Sequence, residues 1–156
     1  MCWRSVFLAT LCLGMSACGG KSTEGTCSDV CAKNQRCRDG GVVDTDCVPS
    51  CISMANRVRP EVFQVYASCV LGLACGVSTD SCLQAAYVRV SGSTRAIDTD
   101  FQAACEGARG ACPGTLTDDD CRKSVLYLET YVTQAKACLS RPCAEIQGCV
   151  RGFLGN

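Results

Sequence analysis

The sequence TDDDCRKSVLYLETYVTQAKACLSRP, at residues 117–142, decides the fold class of this chain. Its apolar side chains recur at alternating spacings of four and three positions, which is the period of one face of an α-helix. This stripe consists of Cys121, Val125, Leu128, Val132, Ala135 and Leu139. Thr117 and the three aspartates after it supply an N-cap and first-turn carboxylates, and Pro142 fits the first turn of a following helix. We therefore predict helices at 118–139 and 142–153 that form an antiparallel hairpin.

Two further segments have helical patterns. Pro60 opens a predicted helix that continues through Cys75, and another is predicted from a cap at Asp98 to the residues before Pro113. Residues 82–97 leave two interpretations open. They continue helically, or they include a short strand, because residues 87–90 alternate between apolar and polar side chains.

Cysteine sets the physical class of the protein, since 17 of the 156 residues are cysteines and none is a histidine. This density is typical of disulfide-stapled proteins in oxidising compartments, because cytosolic thiols are kept reduced. The chain has no C-x2-C spacing, so zinc sites and thioredoxin-type redox motifs are not expected. Without histidine, Ser-His and Cys-His nucleophile pairs are impossible. We expect no metal site, no cofactor and no enzymatic activity.

The first 18 residues have the parts of an export signal. Arg4 is followed by an apolar run at residues 6–13 and by small residues before Cys18. The apolar run is too short to span a bilayer. Residues 15–18 (Met-Ser-Ala-Cys) resemble the lipobox of bacterial lipoproteins, although Met15 stands where that family favours leucine. The resemblance implies that residues 1–17 are a signal peptide, that Cys18 is lipidated, and that the protein lies in the cell envelope. Because Gly19 is not aspartate, it favours the outer membrane, on the periplasmic or the surface side.

The parity of the cysteines supports this assignment independently. Cleavage before Cys18 removes two cysteines, and lipidation occupies a third, which leaves an even number that can all pair. The fourteen predicted disulfide cysteines are Cys27, Cys31, Cys37, Cys47, Cys51, Cys69, Cys75, Cys82, Cys105, Cys112, Cys121, Cys138, Cys143 and Cys149. Their connectivity stays open, because spacing alone does not select among the many pairings.

Composition divides the mature chain into three parts. Residues 18–26 are a polar, glycine-rich stretch that we predict to be a flexible tether. Residues 27–51 are predicted to be a small cysteine-rich module, in which the Asp-Gly-Gly at 39–41 indicates a β-hairpin. An alternative places its two C-x3-C pairs on two stapled helices; the glycine turn and Pro49 favour the hairpin. Residues 52–156 are predicted to be a disulfide-stapled helical domain, so that the fold class is mainly α.

The cysteine spacing also suggests an internal repeat, in which a long helix is followed by two closely spaced bridging cysteines. One register aligns Cys69, Cys75 and Cys82 with later triplets that begin at Cys105 and at Cys138. A second, incompatible register aligns Cys69 with Cys149. The sequence does not choose between them.

Other candidate sites have simpler explanations. Residues 20–22 (Gly-Lys-Ser) lack the first glycine of a phosphate-binding loop. The aspartates at 44 and 46, at 98 and 100, and at 118–120 do not have the spacing of a calcium loop, so turns and helix caps are expected there. Phe153 and Leu154 are expected to pack into the core. Charges are balanced, with 15 basic and 15 acidic residues and no basic stripe, so nucleic acid is not an expected partner.

These patterns predict a non-enzymatic, lipid-anchored envelope protein that acts as a binding or structural module. Its style is similar to that of cysteine-rich lipoproteins of Gram-negative bacteria, a resemblance that implies no ligand. One alternative is a saposin-like domain that binds lipid between or along its helices. Another is an inhibitor-like module at 27–51 with an exposed loop at 38–46. Beyond the membrane itself, the partner in the envelope or outside the cell is not specified by the sequence.

Overall fold

A computed structural model describes residues 21–38 and 44–155. The predicted lipidation residue Cys18, the signal peptide and residues 39–43 lie outside this part of the chain. The described residues form α-helices joined by short connections, with a 3₁₀ helix at Lys123–Leu126, which confirms the mainly α prediction. The α-helices are α1 Thr23–Cys37, α2 Cys47–Ala55, α3 Pro60–Gly72, α4 Asp80–Ser91, α5 Ala96–Ala111, α6 Asp118–Arg122, α7 Glu129–Cys138 and α8 Cys143–Leu154.

The N-terminal module is a helical hairpin, and the predicted β-hairpin is wrong in its first arm because residues 35–37 form the last turn of α1. Each C-x3-C pair puts two sulfurs on one helix face, one turn apart. The two faces meet as a ladder with rungs Cys27–Cys51 and Cys31–Cys47. Pro49 is compatible with α2 because it is the third helical residue, where a backbone N–H has no partner inside the helix.

The first helix begins inside the predicted tether. Ser22 is the N-cap of α1, and its Oγ accepts a hydrogen bond of 3.1 Å from the backbone N–H of Gly25. Residues 23–26 are therefore helical. The predicted module boundary after Cys51 falls within α2, and the bridge Cys37–Cys75 crosses it.

The predicted helix at 118–139 is interrupted. The Thr117 cap is confirmed, since its Oγ accepts from the backbone N–H of Asp120 at 3.1 Å. After α6 and the 3₁₀ helix, however, residues 127 and 128 are extended. There the backbone N–H of Leu128 donates to the carbonyl of Arg57 at 2.9 Å, in an antiparallel bridge between Val58 and Tyr127. The apolar residues of the stripe are still buried on both sides of the break. Val125 packs into the core of residues around α3 and α4, whereas Cys121 and Val132 pack into the core around α5 and α8.

Two other boundaries differ from the predictions, and one segment that the sequence left open is helical. Asp98 is the third residue of α5 rather than its cap, and its Oδ2 accepts from the backbone N–H of Arg95 at 3.1 Å. The segment left open at 82–97 is helical through Ser91 in α4, where Ala86 and Val90 are buried one turn apart, and no strand forms at 87–90. Helix α3 ends at Gly72, short of Cys75. The helix pair α7 and α8 follows the predicted connection, and Leu154 is buried as expected.

The helices form four similar units, each a helix pair closed by a disulfide at an equivalent place, and the first pair has Cys27–Cys51 as a second rung. The closing bridges are Cys31–Cys47, Cys69–Cys82, Cys105–Cys121 and Cys138–Cys149. In the last three units the first bridging cysteine is ten positions after the N-cap: Arg59 to Cys69, Arg95 to Cys105 and Leu128 to Cys138. The first of the two sequence registers is therefore correct, and the alignment of Cys69 with Cys149 is wrong. The structure adds a fourth unit, with Cys31, Cys37 and Cys47, that the cysteine spacing did not predict.

The four units associate in two pairs, which we call the N-terminal half (residues 21–95) and the C-terminal half (residues 96–155). The middle cysteine of each unit joins it to its neighbour, through Cys37–Cys75 in the first half and Cys112–Cys143 in the second. Among the described residues, no disulfide connects one half to the other. Each half has its own buried cluster, and Tyr127 packs against both.

Candidate functional surfaces

The first helices of the four units begin close together, in a region that we call the hub, defined by the N-caps Ser22, Arg59, Arg95 and Leu128. The guanidinium of Arg95 donates to the carbonyl of Tyr127 at 2.8 Å, and that of Arg59 donates to the carbonyl of Val125 at 3.3 Å. These contacts and the Val58–Tyr127 bridge hold the two halves together without a disulfide. A groove of about 290 Å³ at the hub is lined by Lys21 and Thr23 on one side and by Pro60 and Leu128 on the other.

Helix α2 is the least covered helix of the molecule. The other α-helices each bury at least two residues, whereas none of the nine residues of α2 is buried, although the helix is apolar overall. It has no charged residue from Cys47 to Ala55. Grooves lie along both of its sides, one of about 400 Å³ against Phe63 and Tyr66 and one of about 660 Å³ against Glu24 and Tyr131.

A second apolar surface, the far patch, lies at the end of the N-terminal half that is away from the hub. It consists of Leu71, Val77 and Leu83, which are 37%, 53% and 45% exposed. The bridge Cys37–Cys75 fixes this end, and the ammonium group of Lys33 donates to the carbonyls of Leu71 and Leu73 at the end of α3. Helices α1 and α3 therefore run side by side from the hub to the far patch, and they are joined at the far end by Cys37–Cys75 and Lys33.

The buried carboxylates serve the fold. Burial raises the pKa of the Asp120 carboxyl, but the Arg151 guanidinium and the two donors of Thr117 outweigh this effect and hold the pKa at about 2. Arg151 Nε and Nη2 each donate to Asp120 at 3.1 Å. The other buried carboxylate, Asp98, makes a bidentate ion pair with Arg95, in which the N–O distances are 2.8 and 2.7 Å. Hydrogen bonding to Asp98 is the main cause that raises the pKa of Arg95.

The packing at the hub shifts the pKa values of two more groups. Burial raises the pKa of the Tyr127 hydroxyl, and nearby Arg57 opposes this only in part. A backbone hydrogen bond is the main cause that lowers the pKa of Glu61, and a bond from Arg59 adds to it. Within the described residues, each buried side-chain nitrogen and oxygen has a hydrogen-bond partner. None of these polar groups is left pointing, without a partner, into a cavity.

The predicted site residues are distributed over the whole fold rather than gathered in one place. All fourteen cysteines from Cys27 to Cys149 lie in pairs at disulfide distance, with Cα–Cα separations of 5.0 to 5.9 Å. Of the inhibitor-like loop at 38–46, the described ends are joined by an ion pair of 3.6 Å between Arg38 and Asp44. In residues 21–38 and 44–155, no three potential metal ligands of the His, Cys, Asp or Glu type come together.

Sequence reasoning missed α2 and the arginines of the hub. The signal for α2 was present, since C-x3-C is the spacing of one helical turn, but it was outweighed by the glycine turn. Arg59 and Arg95 are N-caps without a preferred capping side chain, so no local pattern marks them.

The chain matches no protein-family model, no curated protein and no solved structure. Over the described part of the chain, no helix combines the length and the apolarity that crossing a bilayer requires.

Proposed function

We propose that this protein is a non-enzymatic, lipid-anchored envelope protein whose disulfide-locked helical body acts as a rigid binding module. The observation that carries the proposal is the pattern of bridges. Four bridges each close one helix pair, a fifth adds a second rung to the first pair, and two more tie neighbouring pairs together. A chain locked in this way changes shape little on binding, so a surface on it is already organised for a partner.

The far patch is the surface that best fits a binding role. Single exposed apolar side chains are common on soluble proteins. Here, however, Leu71, Val77 and Leu83 lie together around the end of α3 that the bridge Cys37–Cys75 holds. The helix end beneath them is held by Lys33. In this proposal, the lipid at Cys18 keeps the module at the membrane, and the far patch meets a partner in the envelope or outside the cell.

The chemistry of the described residues supports a non-enzymatic role. The two most buried carboxylates, Asp98 and Asp120, are neutralised by guanidinium groups and occupied by helix capping. A general acid or base needs a carboxyl that can reach a substrate and titrate near the working pH. Asp120, with a pKa of about 2, is far from that condition.

The proposal is tested by intact-mass analysis and thiol titration of protein taken from membranes. We expect an N-terminal Cys18 whose sulfur carries a diacylglycerol thioether, and almost no free thiol under denaturing, non-reducing conditions. A Cys18→Ser variant should fold with the same bridges but leave the membrane fraction, since stable anchoring requires the acyl chains. An unmodified Cys18, retention of Cys18→Ser in membranes, or several free thiols would contradict the proposal.

A second candidate is a lipid-binding, saposin-like body, and one observation favours it. Helix α4 exposes Leu83 and also Val88, which is 63% exposed. The Cys18→Ser protein separates the two functions in a vesicle flotation assay. A rigid module without its lipid stays in solution, whereas a lipid-binding body floats with the vesicles.

A further inference from the structure

We propose that the helical domain contacts the surface of the bilayer through the C-terminal half of α2 and the adjoining hub. We call this surface the membrane face. This inference rests on the proposed lipid at Cys18. The membrane face is formed by Ile52, Ser53, Met54, Asn56 and Arg57, together with Tyr131 at its edge. Its occupant is the interface of the bilayer that holds the lipid anchor.

The length of the tether brings this surface to the membrane. Helix α1 is capped by Ser22, only four residues after Cys18. Because an extended chain spans at most about 3.6 Å per residue, the lipidated cysteine lies within about 14 Å of Ser22. The start of α1 lies beside the end of α2: Glu24, Ile52 and Asn56 line one groove, and Thr23, Asn56 and Pro60 line another.

The chemistry of the membrane face suits a lipid interface. Helix α2 has no charged residue whose desolvation would oppose contact with lipid. Ser53 and Met54 are exposed, and Ile52 is half-buried. Arg57 and Tyr131 stand together at the rim, with the guanidinium 5.8 Å from the ring centre. Arginine and tyrosine are side chains that place an apolar body in the interface and a polar tip in water.

The competing apolar surface cannot take this position. The far patch is separated from the hub by the 13 residues of α3, or about 20 Å. If the far patch contacted the bilayer instead, Ser22 would lie about 20 Å above it. The tether between Cys18 and Ser22 spans at most about 14 Å, so the lipid could not then reach the membrane. Since the anchor supplies a high effective concentration, even a weak contact at the membrane face is enough to orient the body.

The chain contains its own reporter for this contact. Its methionines are Met1, Met15 and Met54, so cleavage before Cys18 leaves only Met54, which is 37% exposed on α2. Hydrogen peroxide transfers one oxygen atom to an accessible methionine sulfur and is reduced to water. We would reconstitute the lipidated protein in vesicles of phosphatidylethanolamine and phosphatidylglycerol, treat it with peroxide, and follow sulfoxide at Met54 by peptide mapping. The Cys18→Ser protein, mixed with the same vesicles, is the unanchored reference.

A matched control places a second methionine on the far patch through the Val77→Met variant, at a position that is 53% exposed. We expect the oxidation of Met54 to be severalfold slower in the anchored protein than in Cys18→Ser. The methionine introduced at position 77 should react at the same rate in both. Equal rates for Met54 would overturn the orientation, as would protection of the methionine at position 77.

Flotation of the vesicles with the protein and the intact mass are recorded on the same samples. A lipidated protein that floats but shows no protection of Met54 contradicts only the membrane face. A wild-type protein that is found without lipid and does not float contradicts the proposed anchoring, and the inference falls with it.

Discussion

The two halves of the molecule reach stability by different means. The N-terminal half has four disulfides around a core to which α2 contributes no buried residue. The C-terminal half has three disulfides, and it contains both buried carboxylates, Asp98 and Asp120. An extra covalent rung thus stands where apolar burial is thin, because a disulfide limits the freedom of the unfolded chain without needing buried area. The C-terminal half instead holds charged groups inside, each paired with a guanidinium group.

The largest effect that we expect separates the halves. Val132 is 0% exposed in the core of the C-terminal half, and Val132→Asp puts an unpaired carboxylate there at a cost of several kcal/mol. Because the disulfides stay within each half, we expect the C-terminal half to become protease-sensitive while a fragment of about residues 21–95 remains protected. Limited proteolysis with mass analysis, supported by circular dichroism, measures this.

Ala137→Asp is the matched control, since Ala137 is exposed on the same helix. It should leave both halves resistant. A single loss of both halves in Val132→Asp would mean that the 3₁₀ helix, which packs into the N-terminal core, couples them fully. An unchanged circular dichroism spectrum would mean that the predicted stripe faces water.

The next effect concerns the buried ion pair. Arg151→Met leaves Asp120, which is 3% exposed, without its cation, and we expect the free energy of unfolding to fall by about 3 kcal/mol. Adding Asp120→Asn should recover part of this loss, because the amide carries no charge. Chemical denaturation at neutral pH measures the free energy of unfolding of each variant.

The exposed pair of Arg141 and Glu145 provides a comparison, since its side chains are 56% and 58% exposed. Arg141→Met should cost less than about 1 kcal/mol. Equal losses for the two arginine variants would show that the buried pair of Asp120 stabilises the C-terminal half no more than an exposed pair does.

The smallest effect is a dependence on pH. The pKa of Asp120 is about 2 in the folded protein and 3.8 for the unperturbed group. The carboxylate therefore stabilises the fold above about pH 4, and this contribution is lost as the pH falls through the folded pKa. Between about pH 5 and pH 2, wild type should lose about 2 kcal/mol more than Asp120→Asn.

Asp119→Asn, at a neighbouring exposed carboxylate, serves as the control and should follow wild type. If wild type and Asp120→Asn lose stability in parallel over this range, the ion pair does not hold the carboxyl ionised.

Local patterns succeeded wherever one segment carries its own signal. The Thr117 cap, the apolar faces of α3 and α7, and the burial of Leu154 follow from capping chemistry and helical periodicity. Ser22 and α2 were misread because glycine and serine favoured a tether, and because the Asp-Gly-Gly turn favoured strands. A proline at the third position of a helix is harmless, and that position is known only when the helix start is known.

The candidate surfaces were less accessible to sequence reasoning than the helices. The membrane face combines α2 with Arg57 and with Tyr131 from the other half, and its residues are brought together by the pairing of residues 57–59 with 126–128. The far patch depends on the bridge between Cys37 and Cys75. Both arise from contacts between segments that are distant in the chain.

By itself the sequence determined the helical class and the cysteines that have to pair, because periodicity and parity are properties of the chain alone. It left two registers of the repeat open, and the bridges Cys69–Cys82, Cys105–Cys121 and Cys138–Cys149 chose between them. The tertiary structure decided which cysteines are partners, where the helix at 118–139 breaks, and that the units join in two halves at a common hub. These are decided by which surfaces meet. A disulfide forms only where two Cα atoms come within about 7 Å, and a strand-like bridge forms only where two extended segments lie side by side.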